Sequence, residues 1–323
     1  MRCAVLKELH QALDLETRPD PTPAEGQLVV ELHAAALNRR DYWITQGLYP
    51  GIRLPVVLGS DGAGTVIAAG STEDAGWVGQ AVVINPGWDW GEDPRVQSDR
   101  FRILGMPDDG TLATHVVVPT EYVAPKPPDY SWHEAAALPL AGVTAYRASC
   151  TRGRLESADR VLITGIGGGV ATMALMWARS VGAAIAVTSS SPQKIEQARH
   201  LGASAGFLYT DASWPEACLE QFGRPTLIVD GAGGPGYNVL IDLLAPGGRL
   251  VNYGATAGAP PKLDLQGSTM GSPDDFAQML ESVRRQGVRP VIDSVFPLER
   301  VNDAMERLAG KDHFGKIVID CVS

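Results

Sequence analysis

Residues 161–171 read Val-Leu-Ile-Thr-Gly-Ile-Gly-Gly-Gly-Val-Ala, and no other segment restricts the fold of this chain as much. Val161, Leu162 and Ile163 form a short apolar run of the kind buried inside a parallel sheet, and four glycines follow within five residues. From Val170 the apolar positions Met173, Ala174, Trp177, Ala178 and Val181 recur at helical spacing. A strand that passes through a glycine turn into a helix presents free backbone N–H groups and partial positive charge, and glycine lets a phosphate approach both. Gly165 and Gly167 open the pattern G-x-G-x-x-G, but its last position is Val170; as G-x-x-G-x-x-A, the residues Gly165, Gly168 and Ala171 fit. Two readings follow. The turn either cradles a dinucleotide pyrophosphate, with Gly165, Gly168, Gly169 and Val170 against it, or is an ordinary strand-to-helix connection.

The grammar of the chain changes along its length. A chain of 323 residues has room for two domains with separate cores. Before residue 120 the pattern is of short strands, at 27–34, 62–68, 80–84 and 112–118, separated by turns. Residues 85–109, rich in Trp, Gly, Pro and Asp, lack periodicity and read as a long loop, in which Trp88 and Trp90 either line a pocket or anchor the loop. After Pro125-Lys-Pro-Pro128, apolar strands at 161–164, 184–188, 226–229 and 249–253 alternate with helix-length segments, and Pro246-Gly-Gly248 marks a helix end before the last of them. Such alternation predicts a parallel sheet with helices on both faces. From Asp274 a helix pattern, the segment Pro297 to Met305 and a last strand at 316–320 are expected to return to the first domain. The expected division is 1–124, 125–271 and 272–323.

Charge and cysteine usage narrow the function classes. A net charge of −10 argues against non-specific binding to nucleic acid or to anionic membranes. The first ten residues lack a signal-peptide apolar region, and no apolar run reaches the roughly 18 residues of a membrane span. Cys3, Cys150, Cys218 and Cys321 show no C-x-x-C spacing, so a reduced, cytoplasmic protein is expected.

Five segments in order carry a resemblance: AALNRRDYWITQGLYP at 35–50, LPVVLGSDGAGTV at 54–66, AAALPLAGVTAYRA at 135–148, the glycine turn, and HFGKIVI at 313–319. Together they resemble the medium-chain dehydrogenase/reductase family, and within it the zinc-free quinone oxidoreductase-like branch. The resemblance implies an α/β protein in which a GroES-like β-barrel catalytic domain accompanies a Rossmann, doubly wound parallel-sheet cofactor domain, with substrate and nicotinamide in the cleft between them. It also implies a nicotinamide cofactor and a homodimer.

Zinc-dependent members of the family carry Cys, His and Cys at positions that match Asn38, Ser60 and Leu140. An amide and a hydroxyl are poor zinc ligands and leucine has no lone pair, while Asp61 offers only one carboxylate. The family's structural zinc lobe would fall in 85–109, which contains no cysteine. His115 and His133 read as a solvated strand end and a helix surface. No catalytic or structural zinc is expected.

NAD-selective Rossmann sites place Asp or Glu at the end of the second strand, beside the adenine ribose. Here that strand ends Thr188-Ser189-Ser190-Ser191, with Lys194 beyond. Hydroxyls and an ammonium can bond a 2′-phosphate that a carboxylate would repel; the alternative is a serine-rich helix cap with a solvated lysine. In the resemblance Ser189, Ser190 and Lys194 match phosphate-binding positions and Tyr209 an aromatic flanking that phosphate, so NADPH is expected. Thr144 matches a position near the nicotinamide, Tyr253 and Gly254 end a strand expected to face the same cleft as cofactor contacts, and Lys316 is either a cofactor contact or an exposed charge.

Without a Lewis acid, hydride transfer favours an acceptor that is already conjugated, a quinone or an α,β-unsaturated carbonyl, because the resulting enolate needs only a hydrogen bond and a proton. The family match nominates Asn38, Asp41 and Tyr49 for the catalytic step, with solvent an alternative proton donor. Trp43, Tyr49, Trp88 and Trp90 are the candidate pocket walls. Metal-free alcohol dehydrogenation and an NADPH-binding, redox-responsive protein with little catalysis are the competing readings.

Overall fold

Strand-forming sequence dominates the first 125 residues of the computed structural model, which describes residues 1–258, 269–310 and 312–322. The strands are β1 (Arg2–Leu6), β2 (Asp14–Thr17), β3 (Gln27–Ala36), β4 (Val56–Val57), β5 (Asp61–Ala69), β6 (Ala81–Ile84), β7 (Gly87–Trp88), β8 (Arg102–Ile103), β9 (His115–Pro119) and β10 (Val123–Pro125). Two helices accompany them, α1 (Arg39–Thr45) directly after β3 and α2 (Trp132–Ala137). The chain divides into two units: Met1–Leu140 with Ser272–Phe276 and Val291–Ser323, and Ala141–Gly271 with Ala277–Pro290.

The second unit contains α3 (Pro139–Tyr146, which begins at the boundary), α4 (Gly169–Ser180), α5 (Pro192–His200), α6 (Trp214–Gln221), α7 (Tyr237–Leu243) and most of α8 (Pro273–Gln286). Its strands are β11 (Arg160–Ile163), β12 (Ala184–Ser189), β13 (Ala205–Leu208), β14 (Leu227–Asp230) and β15 (Arg249–Asn252). They form a parallel sheet in the order β13-β12-β11-β14-β15. The connections run outward from β11 in one direction and from β14 in the other. The switch point therefore lies at the carboxyl ends of β11 and β14, where doubly wound sheets bind their ligands. Leu162, Ala186, Phe207, Ile228, Leu240 and Leu243 form the buried core beneath.

The opposite end of this sheet is fastened by one carboxylate. Asp159, just before β11, accepts from Thr226 Oγ1 (2.6 Å) before β14, from Arg249 Nη2 (2.6 Å) at the start of β15 and from Glu156 N (2.9 Å). Burial pushes this carboxyl up, but the hydrogen bonds outweigh burial and hold it below the usual carboxylate range. The folded state thus gains stability above the unfolded carboxylate pKa of about 3.9, and loses it as pH falls through the lower folded value. Asp159→Asn should cost about 2 kcal/mol at pH 7 and much less at pH 2; urea titrations at the two pH values check this.

In the first unit β16 (Ile292–Pro297), α9 (Val301–Ala309) and β17 (Lys316–Asp320) complete the fold. The main sheet runs β10-β6-β5-β3-β17-β16, with β9 also on β3. The last strand of the chain lies antiparallel to β3, Val318 opposite Ala36 and Ile319 opposite Ala35. This register carries Lys316 past the end of β3, alongside Leu37 and Asn38. Leu6, Leu28, Leu32, Ile44, Leu58 and Ile84 fill the core.

Two expectations need correction. Residues 125–140 belong with the first unit, so the division falls at 140/141 and not at 124/125, and 277–290 lie in the second unit. The Ser131 hydroxyl and the Glu134 side chain cap α2 reciprocally, and its buried Ala135, Ala136 and Ala137 pack on β3 and β5. Residues 85–109 are not wholly loop: β7 and β8 pair, with Gly87 opposite Ile103. Among the described residues no helix is long and apolar enough to cross a membrane.

Candidate functional site

The glycine turn of the second unit holds backbone conformations that side chains rarely adopt, with φ of +64° at Gly165 and +121° at Gly167. Ile166 N donates to Thr188 O (2.8 Å) and Gly165 N to Thr188 Oγ1 (3.3 Å), which pins the turn to β12. A Cβ at Gly165 or Gly168 would project into open space, directly before the first turn of α4 at Gly169 and Val170. A Cβ at Gly167 would instead meet Lys194, at 2.7 Å from Cδ and 3.0 Å from Nζ. Lys194 therefore folds back from the start of α5 over the turn. Its backbone N–H is held by the capping Ser191 Oγ (3.4 Å).

The structure gathers the other phosphate candidates beside it. Ser189 is buried at the end of β12, its Oγ accepting from Ser191 N (3.2 Å), and Ser190 is exposed. Tyr209, 50% exposed, is tied to Ser189 O through its own N–H (3.1 Å). Open space above two glycines, N–H groups at a helix start and an adjacent ammonium fit the pyrophosphate of a dinucleotide. Thr144 is buried on α3, with its hydroxyl toward Met270 Sδ (3.7 Å). Tyr253 and Gly254 follow β15, and the Tyr253 ring lies against Gly231.

A residue that sequence reasoning missed organises this end of the sheet. Asp230 accepts from Thr164 Oγ1 (2.5 Å), Asn252 Nδ2 (2.8 Å), Ala232 N (3.1 Å) and Gly233 N (2.9 Å), which locks together the carboxyl ends of β11, β14 and β15. The signal was present as an aspartate ending a buried strand before Gly-Ala-Gly-Gly.

In the first unit, the three positions that match zinc ligands in relatives are bound into a protein network. Lys316 Nζ donates to Leu37 O (2.8 Å), Asn38 Oδ1 (2.6 Å) and Asp61 Oδ2 (2.8 Å). Asp61 Oδ2 also accepts from Asn38 Nδ2 (2.9 Å), and Asp61 Oδ1 from Leu140 N (2.7 Å). Ser60 Oγ accepts from Arg40 Nη1 (2.8 Å), whose guanidinium also reaches Leu104 O (3.0 Å) and Met106 O (3.4 Å). Among the described residues no three His, Cys, Asp or Glu gather as metal ligands. An amide, a hydroxyl and a leucine do not fit zinc.

Lys316 is therefore not the exposed charge the sequence allowed. It is buried, and its three N–H bonds are committed within the first unit. Asp41 also departs from expectation: it is fully buried, with one oxygen accepting from Asn38 N (2.7 Å) and the other from Gly59 N (3.3 Å). Burial pushes its carboxyl up, against the opposing charge of Arg40. It holds the 38–41 and 59–61 segments together and has no surface from which to reach a substrate. Tyr49 is half-buried, with Arg40 5.0 Å from its ring centroid and Arg40 Nε 3.5 Å from its hydroxyl. Trp43 is half-buried against Tyr42.

Trp88 and Trp90 anchor their loop. Their indole N–H groups donate to Asn85 O (3.0 Å) and Asp93 O (3.1 Å), and their rings pack on Tyr122 and Phe101. Trp88 also borders a cavity of about 310 Å³ with Arg102, Asp108, Asp109 and His115, which does not include Asn38 or Tyr49. His133 lies on the surface of α2, its side chain 36% exposed, with its Nε2 3.3 Å from Asp320 Oδ2.

An antiparallel unit with this polar network and a doubly wound unit with a glycine turn define a dinucleotide-linked oxidoreductase class. Residues 24–128 match the family description "Alcohol dehydrogenase GroES-like domain" and residues 169–285 match "Zinc-binding dehydrogenase". The zinc-type alcohol dehydrogenase-like protein YogA of Leptosphaeria maculans is 33% identical, covering 97% of this chain and 96% of that protein. Acryloyl-coenzyme A reductase of Sulfurisphaera tokodaii is 25% identical over 99% of both. A crystal structure of an NAD-dependent alcohol dehydrogenase superposes with a TM-score of 0.90 at 33% identity, covering 99% of each chain. The chain belongs to the medium-chain dehydrogenase/reductase family, with a GroES-like domain and a Rossmann-like domain.

Proposed function

We propose that this oxidoreductase reduces a carbon–carbon double bond conjugated to a carbonyl, in an enone or quinone, with NADPH and without a metal. The observation that carries the reading is the Asn38-Lys316-Asp61 network where zinc enzymes hold their ion. Such a site polarises an isolated carbonyl weakly. A conjugated acceptor spreads the incoming charge onto its oxygen, where neutral hydrogen-bond donors suffice. When bound, the reduced nicotinamide supplies the hydride.

The chain's residues supply donors and alignment. Asn38 has a second amide hydrogen beyond the one on Asp61, and Tyr49 offers a hydroxyl backed by the Arg40 charge. Asp41 fixes the Asn38 end of α1 to the segment at Gly59, and solvent delivers the proton. NADPH rather than NADH is supported by Lys194 over the glycine turn and the hydroxyls of Ser189 and Ser190, against the names of one similar structure and two relatives, which are NAD-dependent alcohol dehydrogenases. A relative named for acryloyl-coenzyme A, itself a conjugated acceptor, supports the substrate class.

A panel of quinones and enones assayed with NADPH, with and without chelator, tests the reading; turnover insensitive to chelator is expected. Oxidation of simple alcohols alone would assign a metal-free alcohol dehydrogenase, and NADPH binding with no acceptor turned over would assign a binding protein. Tyr49→Phe should lower enone turnover by about 10²-fold, the typical loss for one oxyanion donor, with NADPH affinity unchanged. An unchanged rate would make Tyr49 a loop anchor.

A further inference from the structure

We infer that Lys316 is a positioning residue which fixes and polarises the Asn38 amide, so that the amide hydrogen not taken by Asp61 is the donor to the acceptor's carbonyl oxygen. The inference rests on the enone-reduction reading above. The Asn38 amide stands between opposite charges: its oxygen lies 2.6 Å from the Lys316 ammonium and its nitrogen 2.9 Å from the Asp61 carboxylate. Turning the amide over would set NH₂ against an ammonium and C=O against a carboxylate. Its orientation is therefore fixed by both neighbours.

The same arrangement pulls charge along the amide. An ammonium on the oxygen withdraws electron density from the nitrogen, and hydrogen bonds in such chains strengthen one another. Each amide nitrogen carries two hydrogens. Asp61 takes one, and no second acceptor for Asn38 Nδ2 stands among the described residues. All three residues are buried, Lys316 3% and Asp61 0% exposed, and Asn38, at 8%, keeps the most surface of the three. Lys316 has no fourth hydrogen for a ligand. Its effect on a substrate passes through Asn38, and the register of β17 on β3 sets the distance.

The test is single-turnover hydride transfer from NADPH to the enone or quinone that the wild type reduces fastest, with NADPH affinity measured alongside. Lys316→Met should slow transfer about tenfold, a part of the roughly 10²-fold that a whole donor contributes. In an Asn38→Ala background the same substitution should change the rate less than about twofold, because coupled residues are not additive. Lys316→Arg should recover part of the rate. The neutral pair Lys316→Met with Asp61→Asn guards against misfolding by leaving no unpaired buried charge, and should show the same slow transfer. Equal losses in both backgrounds would make the role merely structural, and weakened NADPH binding with an unchanged transfer rate would make Lys316 a cofactor contact; either overturns the inference. Wild-type turnover with an unaffected Lys316→Met enzyme overturns this inference alone, whereas a wild type that reduces no enone or quinone overturns the functional reading and this inference with it.

Discussion

Lys194→Ala should cut kcat/KM for NADPH by about 10²-fold while leaving that for NADH within about twofold. A charge-assisted hydrogen bond contributes about 1.5–3 kcal/mol net, and each 1.4 kcal/mol is a factor of ten, so an ammonium bonding a 2′-phosphate once or twice accounts for the change. The substitution is selective because the Ser191 cap bonds the Lys194 backbone N–H, which alanine keeps. Alanine is also a strong helix former, so α5 should persist. Lys194→Glu should go further and favour NADH, since a carboxylate over Gly167 repels the added phosphate. Initial rates with the two cofactors at one acceptor concentration decide the matter. A preference ratio that moves less than twofold in the alanine variant would place the phosphate elsewhere.

Four of the five strands of the doubly wound sheet were legible because their signals are local: apolar runs and glycine turns separated by helix-length spacers from 161 to 253. The edge strand β13, Ala-Gly-Phe-Leu at 205–208, lacks a β-branched run and was missed. The glycine turn and the serines at 189–191 follow the carboxyl ends of the neighbouring strands β11 and β12, so adjacency followed from topology alone. Lys316 was not legible as a buried group. A lysine after Phe-Gly and before an apolar strand looks like a solvated strand end, and its partner Asn38 lies 278 residues away, brought near only by the pairing of β17 with β3. Asp41 could have been found, since Asn38-x-x-Asp41 before an apolar run has the spacing of a reciprocal helix cap. Its burial could not, because Gly59 arrives from a separate loop. Pro125-Lys-Pro-Pro128 reads as a linker by composition, yet the alanines of α2 are small enough to lie flat on β3 and β5 and keep it in the first unit. The indoles of Trp88 and Trp90 find carbonyl acceptors three residues along the chain, a local geometry that composition does not encode.

Asp61→Ala should destabilise the first unit by about 3–5 kcal/mol, the usual cost of stranding one member of a buried ion pair. Lys316, buried in the wild type, would keep hydrogen bonds to the neutral Leu37 and Asn38 oxygens alone, with Asp41 the remaining carboxyl that its charge acts on. Leu140 N and one Asn38 hydrogen would lose their acceptor as well. If the loss comes from the uncompensated charge, removing that charge should reverse most of it: Asp61→Asn with Lys316→Met should melt within a few degrees of the wild type, because replacing both partners of a buried pair by neutral groups is often close to neutral. Because alanine also removes volume at this fully buried position, Asp61→Asn alone, which keeps the volume and strands the Lys316 charge, separates the two effects. Urea titration and thermal melting of the wild type and these variants measure them. A double variant as unstable as Asp61→Ala would mean that the stranded Lys316 charge is not what makes the loss of Asp61 costly.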